Sequence, residues 1–317
     1  MKSEKHFNSN RHRSFHSIIH GAFLSVLIIT AALFLTSCGS TIAKNTVFSA
    51  DDLPGKTIGV QLGTTGDIYV SDYEEDGSGT KVERFNKGAD AIQALVQGKI
   101  DSVVIDEQPA QAFVASNPSL MILDEDFITE DYAMCISKNK TNLKNSINEA
   151  LDYLKANGTI DSIISNYIGE NAGKTPYTSP DGITRNNGTL VVATNAYFSP
   201  YEYYSGGQIV GIDADLCQAI CDYLGMDLKI EDMEFDSVIT AVQSGKADIG
   251  ACGMTVTEER LKNIDFTNTY TTSSQVIIVR NNDAKVTNGS FIEQFKSDFV
   301  TDNRYSYIFK GLLNTLV

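Results

Sequence analysis

The chain has 317 residues, 42% apolar and 21% charged, enough for about two globular domains with sizeable cores. Its formal net charge of −15 repels phosphate backbones and excludes nucleic acid as a partner. All four histidines lie within the first 20 residues, so the body of the chain has no His-containing metal set and no Ser–His or Cys–His pair for nucleophilic catalysis.

In chain order, Lys2, Lys5, Arg11 and Arg13 precede an apolar run from Ile18 to Leu35, which ends in Thr36-Ser37-Cys38-Gly39. A basic head, an apolar middle and small residues at the exit predict an export signal over 1–38. The ending Leu35-Thr36-Ser37-Cys38 resembles a bacterial lipobox, which implies lipidation of Cys38 and a body tethered to the extracytoplasmic face of the cell membrane. An uncleaved membrane helix is the other reading of the run. Export permits disulfides, but Cys135, Cys217, Cys221 and Cys252 lack metal-site spacing and read as buried free thiols.

A polar tether (39–51) leads to KTIGVQ (56–61), a buried strand, and then to Gly63-Thr64-Thr65-Gly66, a turn opening a helix. Strands near 82–85, 102–105 and 120–123 alternate with helices near 89–97 and 107–115, Pro109 suiting a first helical turn. This is one predicted lobe, 52–135. A strand over 131–137 is followed by helices over 143–155 and 160–167, parted by Asn157-Gly158, and the segment 136–170 is expected to pack on the other lobe. Residues 171–187 are a linker rich in Gly, Pro and Thr.

The other predicted lobe is 188–280. It holds a strand at 189–193, a hairpin around Gly206-Gly207, a helix at 214–224, strands at 227–230 and 271–279, and a short helix at 257–262. Within it FDSVITAVQSGKADIGAC (235–252) restates GADAIQALVQGKIDSVVID (88–106): apolar residues at helical spacing, a break at Gly-Lys, then a short apolar strand. Two such units imply two similar α/β lobes with a cleft between them.

Gly253 and Thr255 follow the second repeat strand at the sheet's carboxyl edge, and Arg260 emerges from the next helical turn, where a guanidinium can grip a carboxylate. A surface ion pair with Glu258 or Glu259 is the plainer alternative for Arg260. The Thr64 and Thr65 amides, at a helix start, form a small-anion cradle or a plain turn. No Gly-Lys-Ser/Thr ending makes it a phosphate loop, and no cofactor is expected. Asp106 offers an acceptor for an ammonium, or is an exposed helix N-cap. Phe198 and Phe235 are cleft walls or core.

The runs TLVVATNAYFSPYEY, GIDADL, MEFDSVITAVQSGKADIGACGMTVTEERLKNIDF and GKTIGVQLGTTGD, with VVIDEQPA, resemble the polar amino-acid-binding proteins of ABC importers, solute-binding protein family 3. The resemblance covers about 52–280. It implies a type II periplasmic-binding-protein-like clamshell that is not an enzyme and closes on a polar L-amino acid, with an ABC permease and its ATPase subunits as partners. It also implies that Arg260 and the Thr65 amide hold the α-carboxylate, that Asp106, the Gly253 carbonyl and the Thr255 hydroxyl hold the α-ammonium, that Phe198 and Phe235 flank the side chain, and that Gln61 and Cys252 line the pocket.

Two departures stand out. The lobe segments run in circularly permuted order relative to the family, and Asn195 stands where many members carry Asp, which weakens the case for a cationic ligand side chain. The tail 290–317 is similar to the entry segment of an amino-acid permease, as in receptor–permease fusions. The alternatives are a dehydratase-like enzyme on the same fold and a ligand-sensing or non-functional truncated module.

Overall fold

The chain divides into two units, 1–43 and 44–317. The computed structural model describes residues 44–125 and 128–283, all within the second unit. The export signal, Cys38 and the permease-like tail lie outside the described residues. Among the described residues no helix is long and apolar enough to cross a membrane.

Strands β1 (Thr57–Gln61), β2 (Lys81–Phe85) and β3 (Ser102–Asp106) pair in parallel, with Thr57 opposite Lys81 and Ile58 opposite Ser102. Every residue of β3 is buried, the pattern of a strand covered on both faces. Helix α1 (Thr65–Glu75) opens at Thr64, whose hydroxyl accepts from the Asp67 amide. Helix α2 (Gly88–Val96) buries Ala91, Ile92, Ala94 and Leu95, and α3 (Glu107–Ser116) follows β3 directly. Short β4 (Leu120–Ile122) and β5 (Ile128–Tyr132) complete the first segment.

Beyond it, β6 (Cys135–Ile136) leads to α4 (Thr141–Ala156) and α5 (Thr159–Tyr167), then the linker, β7 (Thr189–Thr194), β8 (Tyr197–Phe198), β9 (Glu202–Ser205) and β10 (Gln208–Val210). Helix α6 (Ile212–Leu224), β11 (Asp227–Asp232), α7 (Val238–Gln243), β12 (Ile249–Gly250), α8 (Glu258–Leu261), β13 (Asp265–Phe266) and β14 (Thr271–Arg280) complete the described residues. Both α4 and α5 pack against α6.

These strands form two larger sheets and a small one. The first runs β2-β1-β3-β14-β4, with β5 also on β14; the second runs β11-β7-β12-β6-β13. The two follow one plan. Three parallel strands are followed by an antiparallel fourth (β14 on β3, β6 on β12), and in each sheet that fourth strand comes from the other chain segment. The α/β architecture of two mixed sheets with helices resembles a type II clamshell.

This exchange corrects two sequence expectations. The strand at 271–279 belongs to the first sheet, not to a lobe ending at 280. Its last six residues are buried, and it satisfies their backbone groups between β3 and β4. The single strand expected over 131–137 is two strands in different sheets. Between them, Ala133 donates to the Met254 carbonyl at 3.0 Å.

One apolar cluster runs through both lobes, from Leu95 and Ile105 through Tyr132 and Tyr201 to Leu190 and Ile249. Separate clusters back the far faces, around Ile58, Val60 and Ile277 in one sheet and Cys135, Val242 and Cys252 in the other. Each fully buried aliphatic side chain contributes about 1.5–3 kcal/mol. Arg280, at the end of β14, donates to the Leu95 and Ile100 carbonyls, so it closes the C-terminal turn of α2. All four described cysteines are free and buried.

Candidate functional site

The carboxyl ends of β1 and β3 deliver Gln61 and Asp106 to a cleft, and the chain after β7 and β12 delivers Asn195 and Gly253. Gln61, Thr64, Thr65, Asp106, Phe198, Phe235, Gly253, Thr255 and Arg260 together bound a narrow space of about 250 Å³, including open solvent, with room for about one water molecule. Nine of the eleven residues singled out in the sequence therefore meet at one place. A wider groove of about 1640 Å³, including open solvent, lies on the outer side of Glu130 and Thr255. It holds half-buried, mutually paired charges such as Lys144 with Asp265, whereas the cleft holds buried ones.

Arg260 is 6% exposed. Its Nη1 donates to the Thr255 carbonyl at 2.7 Å, and its Nη2 donates to the Gly63 carbonyl in the other lobe at 2.9 Å. The surface pairing with Glu258 or Glu259 is not formed; Glu259 instead pairs with Lys262. Among the described residues Arg260 makes no ion pair. Burial lowers its basicity, opposed by nearby groups including Glu130 and Asp106, and a guanidinium stays charged. Its carbon lies 5.5 Å from the Phe235 ring centroid, a cation–π contact.

Asp106 precedes α3 but makes no side-chain cap, so the exposed N-cap alternative is not realised. The carboxyl is buried, 4% exposed, and accepts from the Tyr132 hydroxyl. Burial and then the Glu130 charge push it up to about 7, against hydrogen bonds from Tyr132 and Gln275 that favour ionisation. Gly253 adopts φ +57, and a Cβ there would lie 2.8 Å from the Phe198 ring, so only glycine fits this turn against this wall.

The other two sequence candidates sit behind the walls. Asn195 is 2% exposed; its Oδ1 accepts from Gln61 Nε2 across the cleft at 2.9 Å, and its Nδ2 donates to the Met233 carbonyl at 2.8 Å. It fastens one end of the cleft. Cys252 does not line the pocket as expected. It packs in the apolar cluster with Val238 and Val242, where its apolar thiol is 1% exposed.

Glu130 is the residue that sequence reading missed. Buried on β5, its Oε2 accepts from Thr65 Oγ1 at 2.9 Å, Thr255 Oγ1 at 3.0 Å and Gln275 Nε2 at 3.0 Å. One carboxylate thus orients hydroxyls from both lobes. Tyr69 is pushed up to about 12 by burial and by this same carboxylate. Among the described residues no cluster of three or more His, Cys, Asp or Glu side chains could hold a metal ion.

Residues 190–310 match the model of the bacterial extracellular solute-binding proteins, family 3. The resemblance read over 52–135 lies outside that match. The chain is 39% identical over 89 residues to the arginine-binding extracellular protein ArtP of Bacillus subtilis, covering 28% of this chain and 35% of that protein. It is 33% identical over 97 residues to a probable histidine-binding protein of Campylobacter jejuni, covering 30% and 38%. It is 26% identical over 132 residues to the L-cystine-binding protein TcyJ of Escherichia coli K12, covering 41% and 48%. The chain spans between about a third and a half of the length of these curated relatives. The arginine-bound form of domain 1 from TmArgBP aligns at 38% identity over 30% of this chain and 82% of that chain, with a TM-score of 0.25. These relatives are binding proteins by name, in keeping with a non-enzymatic role. Over 190–310 the chain is thus similar to the bacterial extracellular solute-binding proteins, family 3.

Proposed function

We propose that the chain is the extracytoplasmic substrate-binding component of an ABC-type amino-acid importer, and that it closes its two lobes on a polar L-amino acid. The observation that carries this reading is the meeting of Arg260 with the Gly63-Thr64-Thr65 turn across the cleft. A buried guanidinium bonded only to neutral carbonyls is costly, and an α-carboxylate set between it and the Thr65 amide compensates it. Asp106, the Gly253 carbonyl and the Thr255 hydroxyl take the α-ammonium, while Phe198 and Phe235 flank the side chain. Gln61 and Asn195 latch the far end. A ligand bridging both lobes binds the shut state better than the open one and shifts the population toward it. Charge-assisted contacts of about 1.5–3 kcal/mol each suffice for micromolar affinity, which needs about 8 kcal/mol.

The names of the relatives point to arginine, histidine and cystine. The neutral amide of Asn195 supports an uncharged polar side chain instead. In this reading the lobe segments are permuted relative to the family, the linker 171–187 joins what are elsewhere the chain ends, Cys38 carries the lipid anchor, and 290–317 begins a fused permease that works with ATPase subunits. Titration calorimetry against the twenty L-amino acids tests the central claim: binding of at least one polar member, lost in Arg260→Ala, is expected, and no binding of any overturns it.

A further inference from the structure

Beneath the floor of the cleft lies a pair of carboxyl groups that the binding reading does not use. Glu202 opens β9 and Asp213 sits in the first turn of α6, and each is 1% exposed. Asp213 Oδ2 accepts from the Gly253 amide at 2.8 Å and from the Tyr270 hydroxyl at 3.0 Å. The remaining oxygen Oδ1, and both oxygens of Glu202, have no donor. The gap beside the pair, lined by residues such as Thr194, Cys217 and Ala251, has no room for a water molecule.

The groups facing the pair are Tyr201 beside β9, Cys217 on α6, Cys252 before Gly253, Tyr270 before β14, and two further carboxyls, Asp106 on β3 and Asp232 on β11. None is cationic. Two ionised carboxylates in contact in such a place repel each other and leave three buried acceptors orphaned. A single proton resolves all of this. Asp213 already receives two donors that favour its charge, and Glu202 receives none, so the proton belongs on Glu202.

We propose that Glu202 is held as a neutral carboxylic acid donating to Asp213 Oδ1, and that this shared proton positions the Gly253 turn and the Phe198 wall of the ligand cleft. The link to the walls is short. Asp213 holds the Gly253 amide directly, and Glu202 pairs with Phe198 between β8 and β9. Burial pushes Asp213 up to about 6 and Glu202 well above its ordinary value, in the same sense. The two are positioning residues, and loss of the proton at alkaline pH loosens the cleft.

The test has two arms on the full chain. In difference infrared spectra, wild type minus Glu202→Gln at neutral pH is expected to show the carbonyl stretch of a protonated carboxylic acid, shifted in D2O; a carboxylate signature there overturns the proposal. The ligand arm rests on the amino-acid reading above. Glu202→Gln, which keeps an N–H donor, is expected to bind the amino acid within about threefold of wild type at neutral pH and to keep that affinity at alkaline pH, where wild type weakens at least tenfold. Identical alkaline profiles for the two proteins overturn the positioning role. If neither protein binds any amino acid, the binding reading fails, while the infrared arm still decides where the proton sits.

Discussion

Arg260 and Gly63, 197 residues apart in the chain, are joined across the cleft by a 2.9 Å hydrogen bond from the guanidinium to a backbone carbonyl. Arg260 Nη1 simultaneously holds the Thr255 carbonyl of its own lobe. The same side chain therefore fixes the lobe contact and brings positive charge to the Thr64-Thr65 turn. Arg260→Lys keeps the charge but not the two-pronged geometry. It is expected to weaken amino-acid binding at least tenfold in calorimetry, and Arg260→Ala to abolish it; a Lys variant with wild-type affinity shows that charge alone suffices and that the fork is idle.

Much of this arrangement was legible in the sequence, and the reason is local. The repeat units switch from helical to strand periodicity at Gly98-Lys99 and Gly245-Lys246, so β3 and β12 and the turns after them fall into place from short-range pattern alone. The fate of Thr271–Arg280 was not legible. Its buried run suits either sheet, and the choice is made by antiparallel pairing with β3, some 170 residues earlier, which no local window carries. Glu130 was missed because the strand expected over 131–137 starts one residue after it, whereas the strand found there is Ile128–Tyr132. The usable signal was weaker: residues two apart share a face of a strand, so Glu130 lies on the face of Tyr132, a large buried side chain.

Asp106 makes both binding and stability depend on pH. An ammonium partner requires the ionised carboxylate, so affinity should rise with pH up to about 7 and then hold until the alkaline loss tied to Glu202 sets in, and Asp106→Asn should remove the rise and leave a low affinity. Stability runs the other way. Burial holds the folded carboxyl up at about 7 against its ordinary 3.8, so the folded state binds the proton more tightly and this contribution, complete below pH 3.8, is lost as pH rises toward 7. The difference is on the order of 4 kcal/mol at 1.36 kcal/mol per unit. Thermal unfolding of the unliganded proteins should therefore give a higher Tm for Asp106→Asn than for wild type at pH 8 and no difference near pH 3.5.

Glu130→Gln tests the carboxylate that unites the two lobes. The amide oxygen can take the place of Oε2 and keep the Thr65, Thr255 and Gln275 donors, which puts the new N–H group at the place of Oε1, a buried atom with no hydrogen-bond partner. It also removes a negative charge near Arg260. A loss of about 1–3 kcal/mol in folding stability is expected from burying that N–H group without an acceptor, together with at least a tenfold loss of affinity, since the threonine hydroxyls keep only a neutral anchor. Denaturant unfolding and calorimetry on one preparation separate these effects; unchanged affinity in a destabilised variant restricts Glu130 to a structural role.

Gly253→Ala strikes the turn rather than the charges. The left-handed backbone strains any L side chain, at a cost of about 1–3 kcal/mol, and the added methyl has only 2.8 Å to the Phe198 ring, so wall or turn must move. Stability should fall by that amount, and affinity should fall further because the Gly253 carbonyl and the Phe198 wall belong to the same site.

Asn195→Asp addresses the side-chain end of the cleft. The Gln61 amide can still donate to the new carboxylate, but the bond from Asn195 Nδ2 to the Met233 carbonyl is replaced by repulsion between two oxygens, in a position only 2% exposed. An unpaired charge there is costly, so the unliganded variant should unfold at a lower temperature at neutral pH than at pH 4, relative to wild type. A ligand with a cationic side chain relieves that charge, and one with a neutral side chain does not. The ratio of affinities for L-arginine over L-glutamine should then rise by about tenfold, equivalent to roughly 1.4 kcal/mol. An unchanged ratio would mean that Asn195 acts through the Gln61 latch alone and that selectivity is set by other walls of the cleft.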